Sequence, residues 1–178
     1  MTSKYIISFL TSSILACFLS PAIGRENAGS QITFSCEDSQ GTLITVARNR
    51  EGVTKTIFYW KQEALQNKTI KTPKEHCDYA VKQLTDSKLE ENDEVLGFIA
   101  TQTSNIPAIC LTIANPNNCS KVISVFAPTE YPVPETIAYE TLNAILNPEI
   151  IVDETDLCKY RDCPQAMFLK ISLFQSKK

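Results

Sequence analysis

Short runs of β-branched and aromatic residues, broken by turn-forming polar residues, open the chain beyond residue 30. Gln31–Cys36 is the first run, and Glu37–Gly41 interrupts it with turn chemistry. Thr42–Arg48, TLITVAR, follows as a second strand-like run. Asn49-Arg50-Glu51-Gly52 reads as a hairpin turn, with Gly52 free to take positive φ. Val53–Trp60, VTKTIFYW, is the third run. The three predict an antiparallel meander.

The period then changes. Thr72-Pro73-Lys74-Glu75 has the form of a capping box, in which the Thr72 hydroxyl and the Glu75 carboxylate satisfy each other's free amides. Pro73 suits the first helical position, where no amide donor is needed. Cys77, Ala80, Val81 and Leu84 fall at helical spacing and define one apolar face. Cys77 therefore points inward, facing a sheet, and His76 is expected at the helix surface.

Strand-like runs return after the acidic turn Glu90–Glu94. They are Val95–Thr101, Pro107–Ala114 and Ser120–Ala127, the last two separated by the turn residues Asn115–Asn118. A second helix is predicted from Pro134 to Leu146, with Ile137, Thr141, Leu142 and Ile145 inward. Pro148 ends it. Glu149–Glu154 reads as extended. Ala166–Phe174, AMFLKISLF, is apolar enough for a final strand or a docking helix, and the last residues are expected to fray. The order predicts an α+β fold, a mostly antiparallel sheet of about six strands with two helices on one face.

The extreme N-terminus has a different character. Lys4 is followed by an apolar stretch with small polar interruptions, and Ala22-Ile23-Gly24 supplies a small-residue cleavage site. Residues 1–24 read as a secretory signal peptide, with Arg25 first in the mature chain. The alternative, an uncleaved anchor, has an apolar core shorter than the ~20 residues a span needs. Ile14-Leu15-Ala16-Cys17 loosely resembles a bacterial lipoprotein box, so acylation of Cys17 is the alternative to its removal. The remainder divides into an α+β domain, 25–148, and a C-terminal extension, 149–178, holding a small cysteine loop. The net charge of −3 argues against a nucleic-acid partner, which normally calls for a basic face.

Cysteine usage sharpens the picture. Removal of the leader takes Cys17 and leaves Cys36, Cys77, Cys110, Cys119, Cys158 and Cys163. An even number in an exported chain suggests disulfides, because such compartments are oxidising. Zinc knuckles come in pairs, and only the Cys158–Cys163 spacing approaches one. No C-x-x-C occurs that would favour a redox pair. No metal or cofactor is expected.

Candidate chemistry is sparse. His76 is the single histidine; as a general base it would need a nucleophile within hydrogen-bond reach, and no G-x-S-x-G elbow supports one. The acidic clusters Glu90–Glu94 and Asp153–Asp156 lack the spacing of a calcium loop and read as solvated turns. Phe58, Tyr59 and Trp60 are a stacking strip whose alternation sends at least one face to the core. Met167–Phe174, flanked by Lys170, Lys177 and Lys178, is an amphipathic candidate for a membrane surface or partner, against the plainer reading of a core strand.

Several of these features recur together in one known family. Phe34-Ser35-Cys36, Thr45–Arg48, Ile57–Trp60, His76-Cys77, Pro107–Cys110, Cys119 and Val125–Pro128 give residues 32–146 a sequence that resembles the cyanobacterial circadian oscillating protein family. The family usually has a basic residue where His76 stands. The turn Asn49–Gly52 departs from its pattern, and the region beyond Leu146, with Cys158 and Cys163, lies outside the match. The resemblance implies an exported, disulfide-braced protein that associates peripherally with membranes, and it supplies no catalytic residues. The expected bridges are Cys36–Cys77, tying sheet to helix, and the local closures Cys110–Cys119 and Cys158–Cys163. The leading expectation is a non-enzymatic exported domain that binds an unknown protein partner or a membrane surface. The rival is a small exported hydrolase or ligand-binding enzyme using His76 or acidic residues in a cleft. A Ser or Asp beside His76 in a pocket favours the rival; an open helix surface removes its best residue.

Overall fold

The structure, a computed structural model, describes residues 32–69, 71–89, 96–113, 115, 118–128, 133–156 and 167–174. The predicted leader with Cys17, the acidic turn 90–94 and the Cys158–Cys163 loop lie outside these residues.

The first three strands form the expected antiparallel meander: β1 Thr33–Ser39, β2 Thr42–Arg48 and β3 Thr54–Trp60. Gln40 and Gly41 join β1 to β2 in a tight turn, both with positive φ (55° and 82°). Left-handed turn residues match the natural twist of a hairpin, and the Asp38 carboxylate accepts from Gly41 N at 3.0 Å. The β2–β3 turn uses Gly52 at φ 81°, as its sequence suggests. Asn49 secures it, with its side-chain oxygen accepting from Val53 N at 2.8 Å.

A second, five-stranded antiparallel sheet contains β4 Leu96–Thr103, β5 Ile106–Ile113, β6 Lys121–Val125, β7 Ile151–Asp156 and β8 Met167–Ile171. Its order is β6-β5-β4-β8-β7. The fold is α+β with mostly antiparallel strands, and the described strands divide between two sheets. The segment after 148, which the sequence sets apart, supplies β7 and β8. The apolar stretch near its end is a strand between β4 and β7, and Leu169, Ile171 and Leu173 join the core. Gly97 makes room for it. A Cβ at that position would meet the Phe168 ring and stand 2.6 Å from the Leu169 carbonyl oxygen.

The described residues form three α-helices: α1 Gln62–Leu65, α2 Pro73–Asp86 and α3 Pro134–Ile145. The capping box forms at α2. Thr72 Oγ1 accepts from Glu75 N at 3.3 Å, and Glu75 Oε2 accepts from Thr72 N at 2.7 Å. α2 packs on all three strands of the first sheet and also on β6; α3 packs on β3, β4 and β5. Thr141, Leu142 and Ile145 are buried as expected, but Ala138 is enclosed where Ile137 was expected and Ile137 is half-buried.

The two sheets share one core. The Phe58 and Phe98 rings meet at 4.9 Å between centroids. The chain leaving α3 closes on the free edge of β3, where Phe58 and Leu146 form an isolated bridge and Asn147 N donates to Ile57 O at 2.8 Å. The Asn147 amide also donates to Thr56 O at 3.0 Å. Residues far apart in sequence thus seal one side of the first sheet.

Candidate functional site

His76 is the centre of the most chemically varied cluster among the described residues. It follows the capping box by one position and precedes Cys77, and both side chains are buried. The expected surface position is therefore corrected: His76 is 1 % exposed. A helix resting on one sheet buries one stripe, but α2 also meets β6, so its buried arc widens to include the position before Cys77.

Hydroxyls hold both ring nitrogens. Nδ1 lies 2.7 Å from Ser124 Oγ on β6, and Nε2 lies 3.0 Å from Thr69 Oγ1 in the loop before α2. A neutral imidazole offers one donor and one acceptor, and a hydroxyl can answer either. The ring lies between Trp60, at 5.6 Å and nearly parallel (13°), and Phe126, at 5.7 Å. Burial first, then the nearby Lys71 charge, pushes its pKa down to about 4, with Glu75 opposing. The ring is therefore neutral at pH 7.

A second set of contacts continues from Trp60. Its indole Nε1 donates to Thr45 Oγ1 on β2 at 2.8 Å. That oxygen lies 3.5 Å from Cys77 Sγ. The sulfur belongs to a disulfide and carries no proton, so the hydroxyl is the donor. Cys77 is bonded to Cys36 on β1, with Cα atoms 5.8 Å apart. The cluster thus runs from β1 through α2 to β6 and joins the two sheets. Among the described residues, every buried side-chain nitrogen and oxygen has a partner. Such completeness matters because an unpaired buried polar atom costs about 1–3 kcal/mol.

The contact between Ser124 and His76 has the spacing of a nucleophile and its base. The surroundings oppose that use. Ser124 has 0 % exposure, and an attacking oxygen must be reachable by its substrate. The far nitrogen of the ring faces a threonine hydroxyl, where a carboxylate would hold an imidazolium. The site combines the partner that a hydrolase needs with the enclosure of a structural pin.

The other candidates fall into place around it. Cys110 and Cys119 form the second described bridge, with Cα atoms 5.4 Å apart; the two observed pairings are those expected. Phe58 and Trp60 are fully enclosed, so the aromatic strip is core. Tyr59 is half-buried, with Lys61 Nζ 5.7 Å above its ring. Phe168, Leu169, Ile171 and Leu173 are buried, so the tail presents no free apolar face at these positions. Asp153–Asp156 lie on β7, and their side chains are outside the described set. Among the described residues, no three His, Cys, Asp or Glu side chains converge to hold a metal ion. No described helix is long and apolar enough to cross a membrane.

Sequence reasoning missed Thr45, Thr69 and Ser124. A signal existed for two of them. Ser124 stands in the apolar run VISVF and Thr45 between Ile44 and Val46, and a hydroxyl at a core position must find a partner.

In comparison with known proteins, no family model, no curated protein and no solved structure matches the chain.

Proposed function

We propose that this is an exported, non-enzymatic binding protein, a disulfide-braced scaffold that presents its surface to a protein partner or associates peripherally with a membrane. One observation carries the reading. The single histidine, the side chain best suited to acid–base chemistry at neutral pH, is enclosed and held neutral as a joint between the sheets. Three further points support it: the leader-like N-terminus, the two bridges, and the resemblance to the circadian oscillating protein family, which we extend here to a shared role outside the cytoplasm. Capture of the full chain from the exported fraction, with mass analysis of its N-terminus, tests partner, cleavage and Cys17 acylation together. Co-sedimentation with anionic vesicles tests the membrane arm. A protein retained in the cytoplasm with its leader intact would sink the reading.

The 2.7 Å contact between Ser124 and His76 favours a second reading, a hydrolase whose site opens on substrate binding. A fluorophosphonate probe decides between the two. Labelling of Ser124, lost in Ser124→Ala and in His76→Gln, supports the enzyme. An unlabelled folded protein supports the binding protein.

A further inference from the structure

The residues of the two described bridges differ in their exposure to solvent. Cys77 is fully buried on the inner face of α2, and its partner Cys36 is half-buried. Cys119 stands at an exposed position beyond Asn118, while Cys110 is fully buried in β5. Thiol–disulfide exchange starts when a thiolate attacks one sulfur, so access decides which bridge exchanges. In the second bridge one residue, Cys119, is exposed and the other, Cys110, is buried.

Backbone bonding makes the same distinction. Cys110 and Cys119 bracket the turn between two paired strands, nine residues apart. Ser120 N donates to Leu111 O at 2.9 Å, and Ile113 N donates to Ser120 Oγ at 3.2 Å. The pairs Cys110–Val122 and Leu111–Lys121 continue the ladder. These contacts hold β5 to β6 whether or not the sulfurs are joined. Cys36–Cys77 instead fastens a strand to a helix over 41 residues of chain, with the Thr45 hydroxyl and the Trp60 indole packed beside it. Its Cys77 end is fully enclosed and its Cys36 end is half-buried, so neither end is as exposed as Cys119.

We propose that Cys119 is a thiol-exchange site that takes a dithiol reductant, and that Cys36–Cys77 is the permanent brace. One thiolate of the dithiol attacks Cys119 Sγ and forms a mixed disulfide. The Cys110–Cys119 bond breaks, and its electron pair leaves on Cys110 Sγ, which takes up a proton. The second thiol of the reductant attacks the mixed disulfide and releases Cys119 as a thiol. The reductant departs oxidised, with an internal disulfide. The link between Cys110 and Cys119 then exists in a closed and an open form on an unchanged sheet. Expelled Cys110 stays enclosed beside its former partner, so a small disulfide such as oxidised glutathione restores the closed form: the Cys119 thiolate attacks it and releases one glutathione thiol, and Cys110 then displaces the second as the bridge re-forms.

Graded dithiothreitol tests this on the full oxidised chain, with acid quenching, alkylation in denaturant and peptide mapping. Cys110 and Cys119 are expected to become labelled at dithiothreitol concentrations at least about tenfold below those that label Cys36 and Cys77. Near-UV circular dichroism should stay native through the first step. Joint labelling of all four, or labelling of Cys36 and Cys77 first, overturns the proposal. A second arm isolates access. Oxidised glutathione is expected to add to Cys119 in folded Cys110→Ser at least about tenfold faster than to Cys110 in folded Cys119→Ser; equal rates overturn it. Should either variant fail to fold, the reduction series on the unaltered chain still decides.

Discussion

A neutral histidine between two aromatic rings makes stability depend on pH in a defined window. In the unfolded chain His76 takes a proton near pH 6.5; in the folded protein it does so only near 4. Between these values the unfolded state binds more protons, so stability rises with pH there and is lost as pH falls through the window. The loss amounts to at most about 3 kcal/mol. Above the window the contribution is constant. Urea midpoints measured from pH 7 to pH 4 should show this slope, and His76→Gln should flatten it while lowering stability throughout. The exposed Glu75 acts lower on the scale. Its backbone and side-chain bonds from Thr72 depress its pKa, so its contribution is present above its ordinary value of 4.5 and fades as pH falls below it. Thr45 offers a test independent of charge. Thr45→Val keeps the shape but leaves the Trp60 indole N–H without its acceptor, at a cost of about 1–3 kcal/mol. Thr45→Ser retains the oxygen and should cost clearly less in the same urea titration.

Among the elements, β8 makes the closest fit. It approaches β4 at Gly97, where any side chain would run into the Phe168 ring and a backbone carbonyl that cannot rotate away. Gly97→Ala is expected to destabilise by about 1–3 kcal/mol through overpacking, read as a lower urea midpoint. A midpoint unchanged from the parent would mean that β8 does not sit at this distance. Sequence was a good guide to elements whose signals are local. Thr42–Arg48 was bounded correctly because turn residues flank a β-branched run, and α2 because Thr72, Pro73 and Glu75 spell its start. Signals failed where the deciding contact is remote. Nothing near His76 indicates that a strand 48 residues later will cover it. Nothing in AMFLKISLF indicates a place between β4 and β7, since a short apolar run suits a buried strand or a helix equally. Strand identity was legible for β1 to β6, but that of β8 was not, and the division into two sheets depends on pairings that leave no local trace.

At the scale of the whole molecule, the two bridges should differ in worth. Closing a longer loop restricts the unfolded chain more. Replacing Cys36 and Cys77 together by serine is expected to cost about 4 kcal/mol, and replacing Cys110 and Cys119 about 2–3 kcal/mol. Thermal or urea unfolding of the two double variants checks the order, and a reversed order would show that native-state strain outweighs chain entropy. The strand order carries a consequence for how such a chain is made. Residues 33–86 hold the meander, α2 and their bridge, so this part can assemble from neighbouring segments. The second sheet cannot. The position between β4 and β7 belongs to β8, the last described strand to emerge during synthesis. Until that strand arrives, one edge of β4 has no partner, and the Phe98 side of the core lacks Leu169 and Ile171. The chain therefore stays incompletely folded until β8 has emerged, a delay that would keep it open for passage through a membrane under the export proposed above.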